Sequence, residues 1–295
     1  MKTFAVDGNW YLHRSFSVCA RTRKIEFLEK NTLDQFLKMV AGDALFLKAT
    51  HIIVVFDSKR SWRHDIFPEY KANRNKGATE VVTSTGESLV LDITAGSLVS
   101  KAKKICELAG LPVAQKKGYE GDDLIACVCA SIKGKIILGT GDKDMASLVS
   151  DFVSQWLADQ KILRTVKDVV KKFGVEPKHI PEFLALIGDK VDNIPGIPGV
   201  ADKTASKWLN AHGSISRMLK NDAVVKKKLK PYLSQLAMAK KLTTLRTGIV
   251  FSAEDLVPQK LDHSLSDYVW SIPTSLKELG DARLYASKQG LFGKR

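Results

Sequence analysis

The sequence predicts an α/β fold in which a mostly parallel sheet is flanked by helices and followed by a separate helical region. From Met1 to about Arg164, short apolar runs alternate with helical patterns, the signature of βαβ units. From about Thr165 the strand patterns stop and short helices dominate. Two of the apolar runs, Phe4–Val6 and Ile52–Phe56, end directly in an aspartate, Asp7 and Asp57. A buried strand ending in Asp sets a carboxylate at the sheet rim, where α/β proteins gather their sites.

In chain order the strand candidates are Phe4–Val6, Ile52–Phe56, Pro112–Ala114, Lys135–Leu138 and Asp151–Trp156. Helical patterns lie at Leu33–Lys48, Leu98–Ala109, Asp122–Ile132 and Met145–Val149. In the helical region they lie at Val166–Phe173, Ile180–Ile187, Ala201–Ala211 and Leu233–Leu245. Residues Asn75–Gly96 are rich in Ser, Thr and Gly, show no period, and read as a mobile loop or a locally ordered arch. Weak patterning with Pro258 and Pro273 makes residues 249–295 a tail packed on the body.

Composition narrows the partners. The 295 residues are 44% hydrophobic and 26% charged, an ordinary globular balance. The net charge of +14 and a pI near 9.5 favour a polyanion. No apolar run is long enough to span a bilayer, and Met1-Lys-Thr-Phe does not open a signal peptide. No basic amphipathic helix with an exposed apolar face stands out, so nucleic acid is favoured over a membrane surface. Cys19, Cys106, Cys127 and Cys129 form no CxxC pair. Cys127 and Cys129 read as small core hydrophobes in a reducing cytosol. Scattered histidines and the lack of GxSxG or Walker sequences exclude those catalytic classes.

Three further carboxylate clusters stand out in this basic chain: Glu120-Gly-Asp122-Asp123, Gly141-Asp142-Lys143-Asp144 and Gly188-Asp189-Lys-Val-Asp192-Asn193. Gathered at one rim, so many like charges need cations, and magnesium is the commonest hard divalent ion. The first cluster is ambiguous. On a continuous helix Glu120 and Asp123 share a face and Asp122 points away. If the helix starts near Gly121, all three can converge on ions. Acidic residues in a first turn also simply gain from the helix dipole, and Gly and Asp are common in turns. Repetition at the ends of separate strands favours the metal reading.

Two other stretches point to nucleic acid. After Ile187 a Gly/Pro-rich hairpin, Gly196–Gly199, leads into a helix opening with Lys203 and Thr204. Glycines let backbone amides approach a phosphate beside a helix N-terminus, as a helix-hairpin-helix grips one DNA strand without reading bases. A plain helix–turn–helix connection is the alternative. From Phe56 to Arg74, Lys59, Arg60, Arg63, Lys71 and Arg74 interleave with Trp62, Phe67 and Tyr70. Cations with aromatic planes suit a single strand or frayed end. Of the three rings Phe67 is expected in the core and Tyr70 least so. The run Lys226–Lys230 reads as a solvated face.

Together Val6-Asp7-Gly8, Phe56-Asp57, Tyr70-Lys-Ala-Asn-Arg74, Glu120-Gly-Asp-Asp123, Thr140-Gly-Asp-Lys-Asp-Met145 and Phe183 to Val200 carry a likeness. The chain resembles the 5′-nuclease (flap endonuclease-like) family, which includes the 5′→3′ exonuclease domain of bacterial DNA polymerase I and free-standing phage 5′-nucleases. The resemblance implies a PIN-like catalytic domain over 1–165 with an arch at about 60–96, and a helix-hairpin-helix DNA-binding region over 166–248. It implies two Mg2+ ions, with Mn2+ as a substitute. Asp7, Asp57, Glu120 and Asp122 would surround the first. Asp123, Asp142, Asp144, Asp189 and Asp192 would surround the second.

By the same likeness Lys71 would contact the scissile phosphate with Arg74 beside it, and a terminal base would stack on Tyr70. Gly196–Thr204 would hold the duplex and often a K+ ion. The implied activity is 5′→3′ exonuclease and flap endonuclease cleavage of DNA in replication or repair. A monomer free in the bacterial or phage-infected cytosol is expected. Removal of RNA primers from RNA–DNA hybrids, or DNA binding without catalysis, are the rivals.

Overall fold

The structure is a computed structural model that describes residues 1–22, 27–74, 79–82, 88–91, 93–249 and 257–261. At its centre runs β1 (Lys2–Asp7), whose Phe4, Ala5 and Val6 are fully buried. Apolar residues on both faces require cover on both faces, the condition for a parallel sheet. β2 (His51–Val55) pairs with β1 in parallel. β5 (Val113–Ala114) and β6 (Lys135–Gly139) extend the sheet to either side, giving the order β5-β2-β1-β6. β7 (Val153–Leu157) is parallel to β6, and β8 (Ile162–Arg164) turns back antiparallel. The mostly parallel sheet expected from the sequence is what forms.

Helices cover both faces. α1 (Gly8–Thr22), α2 (Leu28–Phe46) and α4 (Val99–Leu108) bury Tyr11, Phe16, Phe36, Val40 and Ile105 against Phe4, Val6, Ile52 and Val54. α5 (Gly121–Ser131) covers the opposite face, where Leu124, Ile125 and Val128 meet Ala5, Ile53 and Val55. Each such side chain contributes about 1.5–3 kcal/mol on burial. The short α3 (Trp62–Ile66) follows β2. In the arch stretch, β3 (Thr79–Val82) and β4 (Ser88–Leu91) pair as an antiparallel ribbon. The arch is therefore locally ordered there, and its other calls at 75–78, 83–87 and 92 lie outside the described residues.

The helical region comprises α6 (Val166–Phe173), α7 (Ile180–Ile187), α8 (Asp202–His212), α9 (Ile215–Asn221), α10 (Ala223–Leu229) and α11 (Leu233–Thr243). Its core gathers Phe183, Leu184, Ile197, Leu209, Met218 and Leu236. Beyond it, β9 (Gln259–Lys260) pairs antiparallel with the start of β2. The remainder of the expected tail, 250–256 and 262–295, lies outside the described residues. Among the described residues no helix is long and apolar enough to cross a membrane.

Candidate active site

Parallel pairing sets Asp7 and Asp57 side by side at the carboxyl end of the sheet. Asp7 Oδ1 accepts from the Trp10 amide at 2.9 Å and Oδ2 from Thr140 Oγ1 at 2.9 Å. Asp57 Oδ1 accepts from the Gly121 amide at 2.6 Å, and the Asp57 amide donates to Asn9 Oδ1 at 2.9 Å. Glu120, extended at φ −90° and ψ 158°, caps α5, so Asp122 and Asp123 occupy the first turn. Asp142 follows β6, and its amide donates to Thr140 Oγ1 at 3.2 Å.

Asp7, Asp57, Asp122 and Asp142 feel one another. Burial and then the Asp57 charge push Asp7 up to about 7. Burial first, then Asp142, Asp7 and Asp57, hold Asp122 well above the ordinary carboxylate range. Asp57 and Asp142 are raised in the same direction, with burial again the largest cause. A second group continues from Asp142. Carboxylate oxygens of Asp144, Asp189 and Asp192 lie within 4.8 Å of one another. Burial, then Asp142 and Asp189, drive Asp144 well upward.

Lys71 and Arg74 project from a loop pinned to the Asp189–Asn193 turn. The Lys71 amide donates to the Asp192 carbonyl at 3.0 Å, and Asn193 Nδ2 donates to the Glu69 carbonyl at 2.8 Å. Lys71 and Asn193 both adopt left-handed backbone, φ 57° and 58°. Such conformations cost of order 1–3 kcal/mol and cluster at functional sites. Lys71 Nζ donates to Glu120 Oε1 at 3.0 Å and stands 3.9 Å from Asp192 Oδ2. Burial pulls its pKa down, but Glu120, Asp192 and Asp57 outweigh that and raise it. Arg74 pairs with Asp192 Oδ1.

Three expectations need correction. Asp123 does not face the rim: it is fully buried and accepts a fork from Arg63, Nη1 to Oδ2 at 2.7 Å and Nη2 to Oδ1 at 2.9 Å. Trp62 Nε1 and the Arg246 amide complete its shell at 2.9 and 3.0 Å. One helical step turns a side chain by about 100°, so neighbouring aspartates face different ways. Arg63 is accordingly not open to substrate. It is 2% exposed, and its Nε donates to the Leu242 carbonyl at 2.8 Å. Tyr70 is 4% exposed, more buried than Phe67 or Trp62, and packs with the helical core. Its hydroxyl donates to Glu120 Oε2 at 3.1 Å or Asp192 Oδ2 at 2.9 Å. No base can stack on that ring as it stands.

Lys59 and Arg60 are exposed beside Asp57, Arg60 pairing with Asp65 at 2.9 Å. Lys203 and Thr204 sit in the first turn of α8, Lys203 exposed. Gly199, at φ +69°, is exposed and marks a left-handed turn. Gly196 has another reason to be glycine. A Cβ there would lie 2.1 Å from the Ile187 carbonyl oxygen, so packing on the end of α7 already demands it. The lysine run is not merely a solvated face: Lys228 Nζ donates to the Gly199 carbonyl at 3.0 Å. Gln235 Nε2 donates to the Gly196 carbonyl at 2.9 Å.

The residues present suit hard cations. Asp144 Oδ1 is buried without a hydrogen-bond partner inside the oxygen-only Asp144–Asp189–Asp192 group, and all-oxygen carboxylate sites match Mg2+, Mn2+ or Ca2+. Several supporting groups were not singled out from the sequence: Thr140, Asn9 and Gln155, whose Nε2 donates to the Asp142 carbonyl at 2.6 Å. Lys143, which lies between Asp142 and Asp144 in one of the carboxylate clusters, pairs with Asp189 at 3.0 Å.

Comparison with known proteins places this geometry. Residues 2–174 match the N-terminal resolvase-like domain of 5′-3′ exonucleases, and residues 175–264 match their C-terminal SAM fold. A 5′-3′ exonuclease of Aquifex aeolicus is 33% identical over 99% of this chain and 100% of its own length. DNA polymerase I of Mycobacterium bovis is 35% identical over 81% of this chain, a match that spans 26% of the polymerase. The flap endonuclease of bacteriophage T5, solved with DNA and metal ions, shares the fold at TM-score 0.64 and 17% identity, over 99% of this chain and 100% of that one. The T5 5′-exonuclease with zinc aligns at TM-score 0.67 and 18% identity, over 98% and 99% of the two chains. The chain belongs to the 5′-3′ exonuclease family and is a nuclease of the hydrolase class.

Proposed function

We propose that the protein is a divalent-metal-dependent, structure-specific 5′-nuclease that cleaves DNA at 5′ ends and flaps in replication or repair. The observation that carries this reading is the carboxylate rim, with the partnerless Asp144 Oδ1 within its Asp144–Asp189–Asp192 group. Asp7, Asp57, Glu120 and Asp122 would hold one ion, and Asp142, Asp144, Asp189 and Asp192 the other. Mg2+ is the proposed physiological ion, with Mn2+ able to replace it. Divalent ions, when bound, neutralise charge on a phosphodiester and lower the pKa of an attacking water.

The chain's own groups do the rest. Thr140 and the Trp10 amide fix the Asp7 carboxylate, and Asn9 and the Gly121 amide fix Asp57. Lys71, held close to Glu120, is placed to turn its ammonium to the scissile phosphate as negative charge builds there. Arg74 supplies a second cation beside it. The hairpin and Lys203 hold duplex phosphates, contacts that carry no base code. That neutrality supports action on RNA–DNA hybrids as well. A K+ ion at the hairpin would compete with the Lys228 ammonium for the Gly199 carbonyl. A reducing cytosol fits the four free cysteines, and a monomer is proposed as the working form.

Hydrolysis of a 5′-labelled flap with Mg2+, with Mn2+ and with excess EDTA tests the reading. Asp142→Asn is expected to abolish cleavage while flap binding in Ca2+ stays near wild type. Undiminished cleavage in EDTA, or a fully active Asp142→Asn, would overturn it.

A further inference from the structure

We propose that Ser61 is a positioning residue for Glu120: its hydroxyl holds the carboxylate oxygen that Lys71 gives up on turning to the scissile phosphate. The proposal rests on the nuclease reading of the carboxylate rim, in which Glu120 helps to hold the first ion.

The placement of Ser61 follows from how the loop after β2 is laced. The Trp62 amide donates to the Gly118 carbonyl at 2.8 Å, and Ser61 bridges Gly118 in parallel. The Gly118 amide donates to Ser58 Oγ at 3.2 Å, and the Ser58 amide to the Tyr119 carbonyl at 3.1 Å. This loop is thus stitched to the two residues that precede Glu120. Ser61 is buried and extended, at φ −112° and ψ 163°, directly before α3. Its amide donates to His64 Nδ1 at 3.3 Å and takes the lone pair of that nitrogen. A serine hydroxyl has one proton to donate. Here it goes to Glu120 Oε1, 3.1 Å away.

Among the described residues, four donor groups face the Glu120 carboxylate, two at each oxygen. Oε1 accepts from Ser61 Oγ and from Lys71 Nζ, the latter at 3.0 Å. Oε2 has the Tyr70 hydroxyl at 3.1 Å and Arg63 Nη1 at 3.3 Å. Tyr70 is shared with Asp192, and Arg63 is committed to its fork with Asp123. Lys71 is the group with a second task at the phosphate. Once its ammonium turns there, Ser61 is the donor that remains on Oε1. Hydrogen bonds of this kind orient a ligating carboxylate, and losing one typically costs about 10–100-fold in metal affinity. Without Ser61 the carboxylate would also keep Lys71 as the donor on Oε1 and hold the lysine back from the phosphate.

The test titrates Mn2+ into DNA-free wild type, Ser61→Ala, Ser61→Cys and Ser61→Thr, followed by electron paramagnetic resonance. Cysteine keeps the shape but is a weak donor, and threonine keeps the hydroxyl. Flap affinity in EDTA and single-turnover cleavage at saturating flap are measured on the same proteins. Ser61→Ala and Ser61→Cys are expected to weaken one class of Mn2+ site about tenfold. Their cleavage rate should fall while flap affinity in EDTA stays at the wild-type value, and Ser61→Thr should restore both Mn2+ affinity and rate. A role confined to starting α3 would leave Mn2+ affinity unmoved. Wild-type Mn2+ affinity in Ser61→Ala and Ser61→Cys, or a Ser61→Thr variant as weak as they are, would overturn the proposal. Wild-type protein that binds Mn2+ yet leaves the flap intact would instead overturn the nuclease reading beneath it.

Discussion

Adjacent residues Asp122 and Asp123 make opposite predictions. Asp123 neutralises Arg63 in a shell closed by Trp62 and Arg246, so Asp123→Asn removes the bidentate charge partner of a buried guanidinium and leaves it Glu120 Oε2 at 3.3 Å. Removing one member of a buried pair costs about 3–5 kcal/mol, and urea unfolding should show that loss. Asp122→Asn should show none, because its carboxylate is already disfavoured by burial and by Asp142, Asp7 and Asp57. A stability loss that is equal in both would refute the division between rim and clasp. Asp7 gives a pH signature. Its folded value of about 7 lies above the ordinary 3.8, so between them the folded chain holds a proton that the unfolded chain releases. Metal-free stability contributed by this group is therefore lost as pH rises from about 4 to about 7, the reverse of a salt-bridged aspartate. His13 and His179, lowered chiefly by burial, act in the opposite sense at the acid end. The readout is thus the slope difference between wild type and Asp7→Asn in EDTA. Identical slopes would remove Asp7 from the repelling rim.

At the scale of elements, the strands were legible because alternation with helices and a terminal Asp are strong patterns, and Val166–Phe173 and Ile180–Ile187 form over the expected spans. What escaped has physical causes. α1 was not expected, since aromatic, Ser and His residues are middling helix formers. Tyr11, Leu12, Phe16, Cys19 and Ala20, buried at helical spacing, carried the signal that would have found it. α3, α9 and α10 are too short to show a period, and β8 is an antiparallel return of three residues. In the candidate site, the eight rim acids are legible in the sequence, but Asp123 reads like a ninth, because no pattern tells which face of α5 meets an arginine 60 residues away. The hairpin yields a prediction free of backbone strain. Lys203→Ala should weaken duplex-flap binding and lower the slope of log affinity against log salt by about 1. Salt titrations that give equal slopes would mean that Lys203 touches no phosphate.

Across the whole molecule, the line between an α/β part and a helical part is topological rather than energetic. Tyr70, Ala146 and Val149 come from the α/β part yet pack in the core of the helical region. Arg63 donates to the Leu242 carbonyl, Asp123 accepts from Arg246, and Lys71 is pinned to Asp192. Each link joins a loop or helix at the rim to the helical region, and the groups they fix are those of the candidate site. A fragment of residues 1–174 would lose the Leu242 carbonyl that Arg63 bonds and the Asp192 carboxylate that Tyr70 bonds, and would expose the apolar side chains that Phe183 and Leu184 cover. Such a fragment should fail to fold on its own, and the full chain should unfold in one calorimetric transition whose calorimetric and van't Hoff enthalpies agree. If instead the 1–174 fragment melted sharply by itself, the two parts would be separable domains. The clasp would then join finished units, and Asp123→Asn should loosen their junction, visible as faster proteolysis between 165 and 180, without lowering the melting point of the fragment.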